Sequence, residues 1–228
     1  MVKGISVFLP AYNDEKTIGK LILEAASVLD SLGIDYEIIV IDDCSKDATA
    51  RVVGGIMESH ERVRLVRHTE NRDYGGVLKT GFASAAKEWV FYTDGDGQYD
   101  IKEIVKLLPY AQDYDLINGY IRKRMDSPCR MILGKIYQIL IDTCFGKTLK
   151  YINCDFRLIK KAIIERITIG SDSGFAPAEM VIKIIRGGAR VKEVAVAHLP
   201  RRYGHSQFLN LRKIVNLFRD LLVFLIRR

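Results

Sequence analysis

Hydrophobic residues along the chain fall into two patterns, short continuous runs and longer stretches with helical spacing. The short runs predict strands at residues 5–9, 36–41, 63–66 and 89–92. The stretches between them predict amphipathic helices at about residues 15–32, 47–59 and 75–86. Strands that alternate with helices in this way are typical of β-α-β units around a largely parallel sheet.

The second half of the chain is less regular. Its pattern predicts helices at about residues 102–111, 130–144 and 177–186, and strands at residues 115–120 and 191–197. We see no internal repeat, low-complexity tract or linker that would divide the chain. The sequence therefore predicts an α/β fold with a Rossmann-like, mainly parallel sheet flanked by helices.

The strand at residues 89–92 runs directly into an acidic segment, Asp94-Gly95-Asp96-Gly97-Gln98. Its glycines allow a sharp turn that keeps the two carboxylates close together. Carboxylates at a strand end suit Mg²⁺ or Mn²⁺, which keep open positions for phosphate oxygens. Tyr99 and Val105 stand where an EF-hand needs glycine and glutamate, so a calcium loop is excluded. An ordinary acidic turn is the alternative to a metal and diphosphate site.

Polar segments follow the first two strands as well, Pro10-Ala11-Tyr12-Asn13-Asp14-Glu15 and Asp42-Asp43-Cys44-Ser45-Lys46-Asp47. In a doubly wound sheet these segments would lie beside the acidic turn, which favours a nucleotide pocket. The first turn lacks GxGxxG, and Phe82 stands where a P-loop needs lysine. The alternatives are a plain turn for the first segment, with Asn13 or Asp14 capping the helix, and a helix-capping loop for the second.

An ordered set of motifs resembles family 2 glycosyltransferases with the GT-A fold, and within them the polyprenyl-phosphate glycosyltransferases, similar to dolichyl-phosphate mannose synthase. Besides the three segments above, the set comprises Asn71-x3-Gly75-x3-Lys79-x-Gly81, Cys154-Asp155-Phe156-Arg157-Leu158, Pro177-Ala178-Glu179, and Arg201-Arg202-Tyr203-Gly204-His205-Ser206-Gln207-Phe208. The chain departs from the family pattern at Asp73, Ile101 and Tyr151, where glycine, proline and aspartate are common. The resemblance implies a GT-A catalytic domain at residues 1–207 and an amphipathic helix at residues 208–228.

The resemblance also implies roles for donor-site residues. Asp94 contacts the donor and, with Asp96 and Gln98, belongs to the set that holds a Mg²⁺ or Mn²⁺ ion. The implied nucleotide-sugar contacts are Pro10, Tyr12, Glu15, Asp43 and Lys79. The ion would meet the negative charge that builds on the departing diphosphate.

Arginines define the expected acceptor side, because guanidinium groups grip phosphate with parallel hydrogen bonds. The candidates are Arg130, Arg157, Arg201 and Arg202, with Arg157 and Arg201 preferred. Each could instead be a solvated surface residue. A phosphate nucleophile needs no strong general base, whereas a sugar hydroxyl would make Asp155 or Glu179 the candidate base.

Composition narrows the class of partner. The chain has 228 residues, is 48% hydrophobic and carries a formal net charge of +7, which favours an acidic partner. We find no nucleic-acid motif, so a lipid surface and a phosphorylated substrate are favoured over nucleic acid. Its four cysteines lack a CxxC pair, which favours a reducing compartment. We interpret His60 and His68 as surface residues, and His198 and His205 as packing residues.

Residues 208–228 predict a helix whose polar stripe contains Lys213, Asn216, Asp220 and Arg227. It either docks its apolar side on the domain or lies in a membrane interface. Basic residues near an anionic leaflet contribute about 1 kcal/mol each. The candidates here are Arg212, Lys213, Arg219, Arg227 and Arg228.

We therefore expect an inverting, metal-dependent glycosyltransferase, peripherally bound at the cytoplasmic face of a membrane. It would move a sugar from a UDP- or GDP-linked donor to a polyprenyl phosphate, with a separate membrane protein as a possible partner. One alternative is transfer to a saccharide hydroxyl in glycan or lipopolysaccharide assembly. Another is a non-catalytic module that binds nucleotide sugars.

Overall fold

A computed structural model of the protein describes residues 2–122, 125, 128–203 and 210–226. The domain boundary expected after residue 207, the motif residues Gly204 to Phe208 and the two C-terminal arginines lie outside these ranges. The strands are β1 Gly4–Ala11, β2 Asp35–Asp42, β3 Val63–Arg67, β4 Trp89–Thr93, β5 Leu116–Ile121, β6 Phe156–Lys160 and β7 Val191–Val196. The helices are α1 Ile18–Ser31, α2 Thr49–Met57, α3 Asp73–Ser84, α4 Pro128–Phe145, α5 Lys161–Ile164, α6 Ala176–Arg186 and α7 Leu211–Ile226.

The strands form a seven-stranded sheet in the order β3-β2-β1-β4-β6-β5-β7. Only β6 runs antiparallel to its neighbours β4 and β5, while the other described pairs are parallel. The predicted α/β class with a mainly parallel sheet is confirmed. The helix expected at residues 102–111 is instead a pair of short 3-10 helices, Ile101–Lys106 and Leu108–Tyr110.

Alternate residues of the central strands supply two hydrophobic cores, one on each face of the sheet. Val7 and Phe91 pack in the core under α1, whereas Phe8 and Tyr92 pack in the core under α3 and α6. This division follows from the two-residue repeat of a strand, in which successive side chains point to opposite faces. Because both faces of β1 and β4 are buried, their sequences are mostly apolar and lack polar alternation, with Ser6 and Thr93 as buried polar exceptions.

Parallel pairing brings the carboxyl ends of β1, β2 and β4 to one edge of the sheet. Two backbone hydrogen bonds tie the segments that follow them: Asp43 N–H donates to the Ala11 carbonyl at 2.9 Å, and Gly95 N–H donates to the Pro10 carbonyl at 3.1 Å. The polar segments that the sequence places after each strand are therefore neighbours in space. In an open α/β sheet this edge is where ligands bind.

Candidate active site

A cavity of about 480 Å³ opens at the carboxyl ends of β1, β2 and β4. It is lined by the segments after β1 and β2, by the acidic turn and by residues from α4 and α7. Lys213 Nζ of α7 lies 6.0 Å from the centre of the Tyr12 ring, so α7 borders the segment after β1. The cavity has the size and the polar centre expected of a substrate site.

The acidic turn can approach β1 closely because residue 95 is a glycine. A Cβ atom at this position would lie 2.4 Å from the Pro10 carbonyl oxygen, which no side chain can tolerate. The close approach points Asp94 and Asp96 into the cavity beside Asp14, which also lines it. The expected pairing of the two carboxylates is therefore present.

Asp94 is a carboxyl group in a poorly solvated position. The Tyr74 hydroxyl donates to its Oδ1 atom at 2.6 Å. Burial, together with the nearby charges of Asp155 and Asp96, raises the pKa of Asp94 well above its ordinary value. A cation in the cavity would offset this accumulation of negative charge.

Arg157 is fully buried and clamps Asp155 in place. Its guanidinium donates to Asp155 Oδ1 at 2.8 Å, to Asn118 Oδ1 at 2.6 Å, to the Tyr92 hydroxyl and to the Ile152 carbonyl. Burial raises the pKa of Asp155, while the charge of Arg157 lowers it. The structure brings Asp155 to the cavity but leaves Arg157 behind its wall, so the expected contact between Arg157 and an acceptor phosphate is not available in this arrangement.

Two other arginines of the expected acceptor set do reach the cavity. Arg201 forms an ion pair with Asp96, and Arg130 Nη1 donates to Gln98 Oε1 at 3.3 Å. Arg202 is exposed and lies away from the cavity lining that the described residues form. The acidic turn and these two arginines therefore adjoin each other directly.

The donor set expected to hold a divalent metal fits such an ion. In the part of the chain that the structure describes, no three His, Cys, Asp or Glu side chains form a complete set of metal ligands. Mg²⁺ and Mn²⁺ bind through one or two carboxylates when substrate phosphates and water fill the other positions. Asp94, Asp96 and Gln98 all line the cavity, and their oxygens are the hard ligands these ions prefer.

Of the expected nucleotide-sugar contacts, the structure brings Pro10, Tyr12 and Asp43 together in the cavity lining. Glu15 instead accepts the Ala48 N–H at 2.8 Å, and Lys79 pairs with Asp172 at 2.7 Å. Both side chains lie away from the lining that the described residues define. Their contacts join neighbouring loops, a structural role that sequence spacing does not separate from ligand binding.

Asn13 or Asp14 was expected to cap the first helix, but this prediction is wrong, because the N-cap is Thr17 and no side chain caps the helix. The helix begins at Ile18, and the Asp14 side chain accepts the Tyr12 N–H at 2.9 Å. Burial raises the pKa of Asp14 to about 6, and the negative charge of Asp96 adds to this shift. Asp14 thus adds a further carboxyl group to the cavity, besides Asp94, Asp96 and Asp155.

Glu179, the other candidate base, lies outside the described cavity lining. It accepts the N–H groups of Gly170 and Ser171 at 2.9 and 2.8 Å, and pairs with Lys183. These contacts order the segment before α6. Of the two candidate bases, only Asp155 lines the cavity.

Several residues that line or support the site carry no signal in the sequence motifs. Tyr74 holds Asp94, while Lys213 and Asn216 of α7 contribute to the wall from the far end of the chain. The surface assignment of His68 is wrong, because its ring is buried between Asp43 and α3. Only long-range contacts identify these residues.

Comparisons with known proteins agree with this geometry. Residues 6–168 match Glycosyl transferase family 2. The M. tuberculosis glucosyl-3-phosphoglycerate synthase, solved with Mn²⁺, UDP and phosphoglyceric acid, superposes with a TM-score of 0.74 at 18% identity, over 99% of this chain and 78% of that one. Mannosyl-3-phosphoglycerate synthase from Rubrobacter xylanophilus gives 0.72 at 14% identity, over 98% and 74%.

The structure of TarS from S. aureus gives a TM-score of 0.62 at 17% identity. The match covers 86% of this chain, which spans only 60% of that structure. At these identities the likeness to solved structures shows a shared fold. The family match extends over most of the chain, including the strands that carry the acidic turn.

The raised pKa of Asp14 predicts a pH-dependent stability difference between the protein and an Asp14→Asn variant. A carboxyl group whose pKa is higher in the folded state than in the unfolded state stabilises the fold at pH values below its unfolded pKa. For Asp14, this contribution is lost as the pH rises through about 6. With EDTA present, the variant should gain about 2 kcal/mol relative to the parent between about pH 4 and pH 8.

Urea unfolding of both proteins at the two pH values measures this difference. Asp113→Asn, at an exposed position, is the matched control and should show little pH-dependent gain. A gain for Asp14→Asn that does not change with pH would contradict the assignment.

Proposed function

The chain belongs to glycosyl transferase family 2, and from that premise we propose that it transfers a sugar from a UDP- or GDP-linked donor to a polyprenyl phosphate at a membrane surface. The protein is a glycosyltransferase, and the lipid acceptor is the specific part of the proposal. One observation carries it: a single cavity joins the acidic turn to Arg130 and Arg201 and opens beside α4 and α7.

For the donor, the chain provides the groups needed to bind a nucleoside diphosphate. Tyr12, Asp43, Asp94 and Asp96 all line the cavity. We assign the nucleoside to Tyr12 and Asp43, and the diphosphate to Asp94 and Asp96. A Mg²⁺ or Mn²⁺ ion held by Asp94, Asp96 and Gln98 would supply positive charge to the leaving diphosphate. Tyr74 keeps the Asp94 carboxyl group in a fixed orientation toward the donor.

Guanidinium groups of the cavity lining are suited to hold the acceptor phosphate. We assign the acceptor phosphate to Arg130 and Arg201, since both line the cavity while Arg157 and Arg202 do not reach its described lining. A phosphate oxygen that is already anionic can attack without a strong general base. Attack from the face opposite the diphosphate inverts the anomeric centre, in keeping with the family resemblance.

Helices α4 and α7, which line the cavity, are suited to contact a lipid tail. Gly134 of α4 and Leu217 of α7 line the cavity, and the helices meet where the Phe145 and Phe224 rings lie 5.4 Å apart. Both helices also expose apolar side chains. These are Met131, Ile132, Ile136 and Ile139 on α4, and Leu211, Val215, Phe218, Leu222, Val223 and Ile226 on α7.

This pattern supports a C-terminal helix that both docks on the domain and contacts a membrane. Leu217 and Leu221 are buried against the domain, so part of the apolar side of α7 is docked. The remaining apolar residues extend the exposed surface of α4, and a surface of this kind favours an interfacial position. Within the described ranges, we find no helix long and apolar enough to span a bilayer. From the exposed apolar surface and the family resemblance, we propose peripheral binding at the cytoplasmic face.

A small phosphorylated acid is the second candidate acceptor. The solved M. tuberculosis synthase with a similar fold was crystallised with phosphoglyceric acid, and the same arginines could hold such an anion. A saccharide hydroxyl would need Asp155 as base, and Asp155 does line the cavity. These acceptors and the polyprenyl phosphate can be compared in one assay.

The purified protein with Mn²⁺ and a panel of UDP- and GDP-sugars should glycosylate polyprenyl phosphate, detected by mass spectrometry. Arg130→Ala and Arg201→Ala should each raise the KM for the lipid about 10-fold or more, because each loses a charge-assisted hydrogen bond. Arg166→Ala, at an exposed position outside the described cavity lining, is the control and should leave it unchanged. Transfer only to phosphoglycerate or to a saccharide would contradict the lipid assignment, and donor binding without any transfer would favour a non-catalytic module.

The membrane contact predicts that the protein floats with vesicles containing anionic lipid. Ile136→Glu and Leu222→Glu place a charge on the exposed face of α4 or α7 and should sharply reduce flotation. Leu23→Glu, on the exposed side of α1, is a matched control that should float like the parent. Equal flotation of all four proteins would exclude this face as the membrane contact.

A further inference from the structure

The carboxylate of Asp43 is held by a buried histidine. His68 Nδ1 lies 2.7 Å from Asp43 Oδ1, and His68 Nε2 lies 2.9 Å from the Thr80 hydroxyl. An ionised carboxylate can only accept hydrogen bonds, so Nδ1 carries the proton that the two groups share. The contact fixes the rotation of the Asp43 side chain in the cavity lining.

The same oxygen receives a second hydrogen bond. Arg72 N–H donates to Asp43 Oδ1 at 2.8 Å, and the Asn71 side chain donates to the Asp43 backbone carbonyl at 3.2 Å. Among the described residues, both side-chain contacts of Asp43 therefore fall on Oδ1. Each carboxylate oxygen offers about two lone-pair positions, so Oδ1 is saturated and Oδ2 is the acceptor left for a ligand.

This asymmetry distinguishes between nucleobases. Uracil presents one imino N–H flanked by two carbonyl oxygens, and a single carboxylate oxygen satisfies it. Guanine presents an imino N–H next to an amino group, an edge that a carboxylate matches best with both of its oxygens. A carboxylate with one oxygen already saturated fits the uracil edge and leaves one guanine donor unpaired in a desolvated pocket.

We propose that His68 is a specificity-determining positioning residue, which saturates Asp43 Oδ1 and thereby selects a uridine over a guanosine diphosphate donor. The inference rests on the proposed function, since it takes Asp43 to be a nucleoside contact. It goes further by naming the base and the residue that selects it. His68 acts through Asp43 and touches no reacting atom.

Calorimetric titration of the unaltered protein with UDP and with GDP, both with Mn²⁺, tests the base assignment without any variant. UDP should bind about tenfold or more tightly than GDP, the cost of one unpaired donor. Equal binding, or tighter GDP binding, would overturn the inference. Binding of neither nucleotide would overturn the proposed function, and the inference with it.

Variants then test the role of His68. His68→Ala should weaken UDP binding and reduce the UDP-to-GDP preference about tenfold, whereas His68→Asn retains a donor for Asp43 and should restore most of that preference. His60→Ala is the matched control, because the hydrogen bonds of the His60 ring to described residues go to Ser59 and Ile56, away from Asp43.

Asp43→Ala separates the two possible failures. Loss of UDP binding in Asp43→Ala with an unchanged preference in His68→Ala would show that Asp43 binds the base without selection by His68. An unchanged UDP affinity in Asp43→Ala would remove Asp43 from the nucleoside site and overturn the inference, while leaving the transferase assignment intact.

Discussion

The buried guanidinium of Arg157 is the interaction on which the acidic end of the sheet depends. It contacts Tyr92 on β4, Asn118 on β5 and Asp155 just before β6. Breaking a buried ion pair by removing one partner costs several kcal/mol, because the remaining charge stays uncompensated. The clamp therefore fixes Asp155 and joins three strands of the sheet next to the cavity.

Several carboxyl groups lie close together around Arg157, although their negative charges repel one another. Asp14, Asp94 and Asp155 all have raised pKa values, with burial as the largest cause. Such shifts are typical of functional sites, and a bound cation would favour the charged form of these carboxyl groups. In this chain, Arg201 pairs with Asp96 and provides part of the compensation. The arrangement suits a site in which a cation and a substrate phosphate bind side by side.

The sequence predicted the parallel half of the fold well because its strands are buried on both faces and are mostly apolar. The strands β1 to β4 and the polar segments after them lie where the pattern places them. Strand β6 was missed, since a strand that contains Arg157 does not look buried until its partners are known. The same reason explains why Arg157 was taken for a phosphate contact.

The sequence also could not predict residues whose partners lie far away along the chain. Tyr74 meets Asp94, and His68 meets Asp43, across 20 and 25 positions of the chain. The stripe of α7 indicated an amphipathic helix, but only the fold brings Lys213 and Asn216 into the cavity wall. The motifs therefore locate the site, while the packing decides which of their side chains face it.

The central claim is that the acidic turn binds a nucleoside diphosphate together with a divalent cation. Calorimetry of UDP binding with Mn²⁺ and with EDTA, in the protein and in Asp96→Asn, tests it directly. Mn²⁺ should raise the affinity for UDP about tenfold or more in the parent and should have little effect in the variant. Asp100→Asn, which keeps an acceptor for the Lys102 N–H, should behave like the parent. The same UDP affinity in Mn²⁺ and in EDTA would contradict the account.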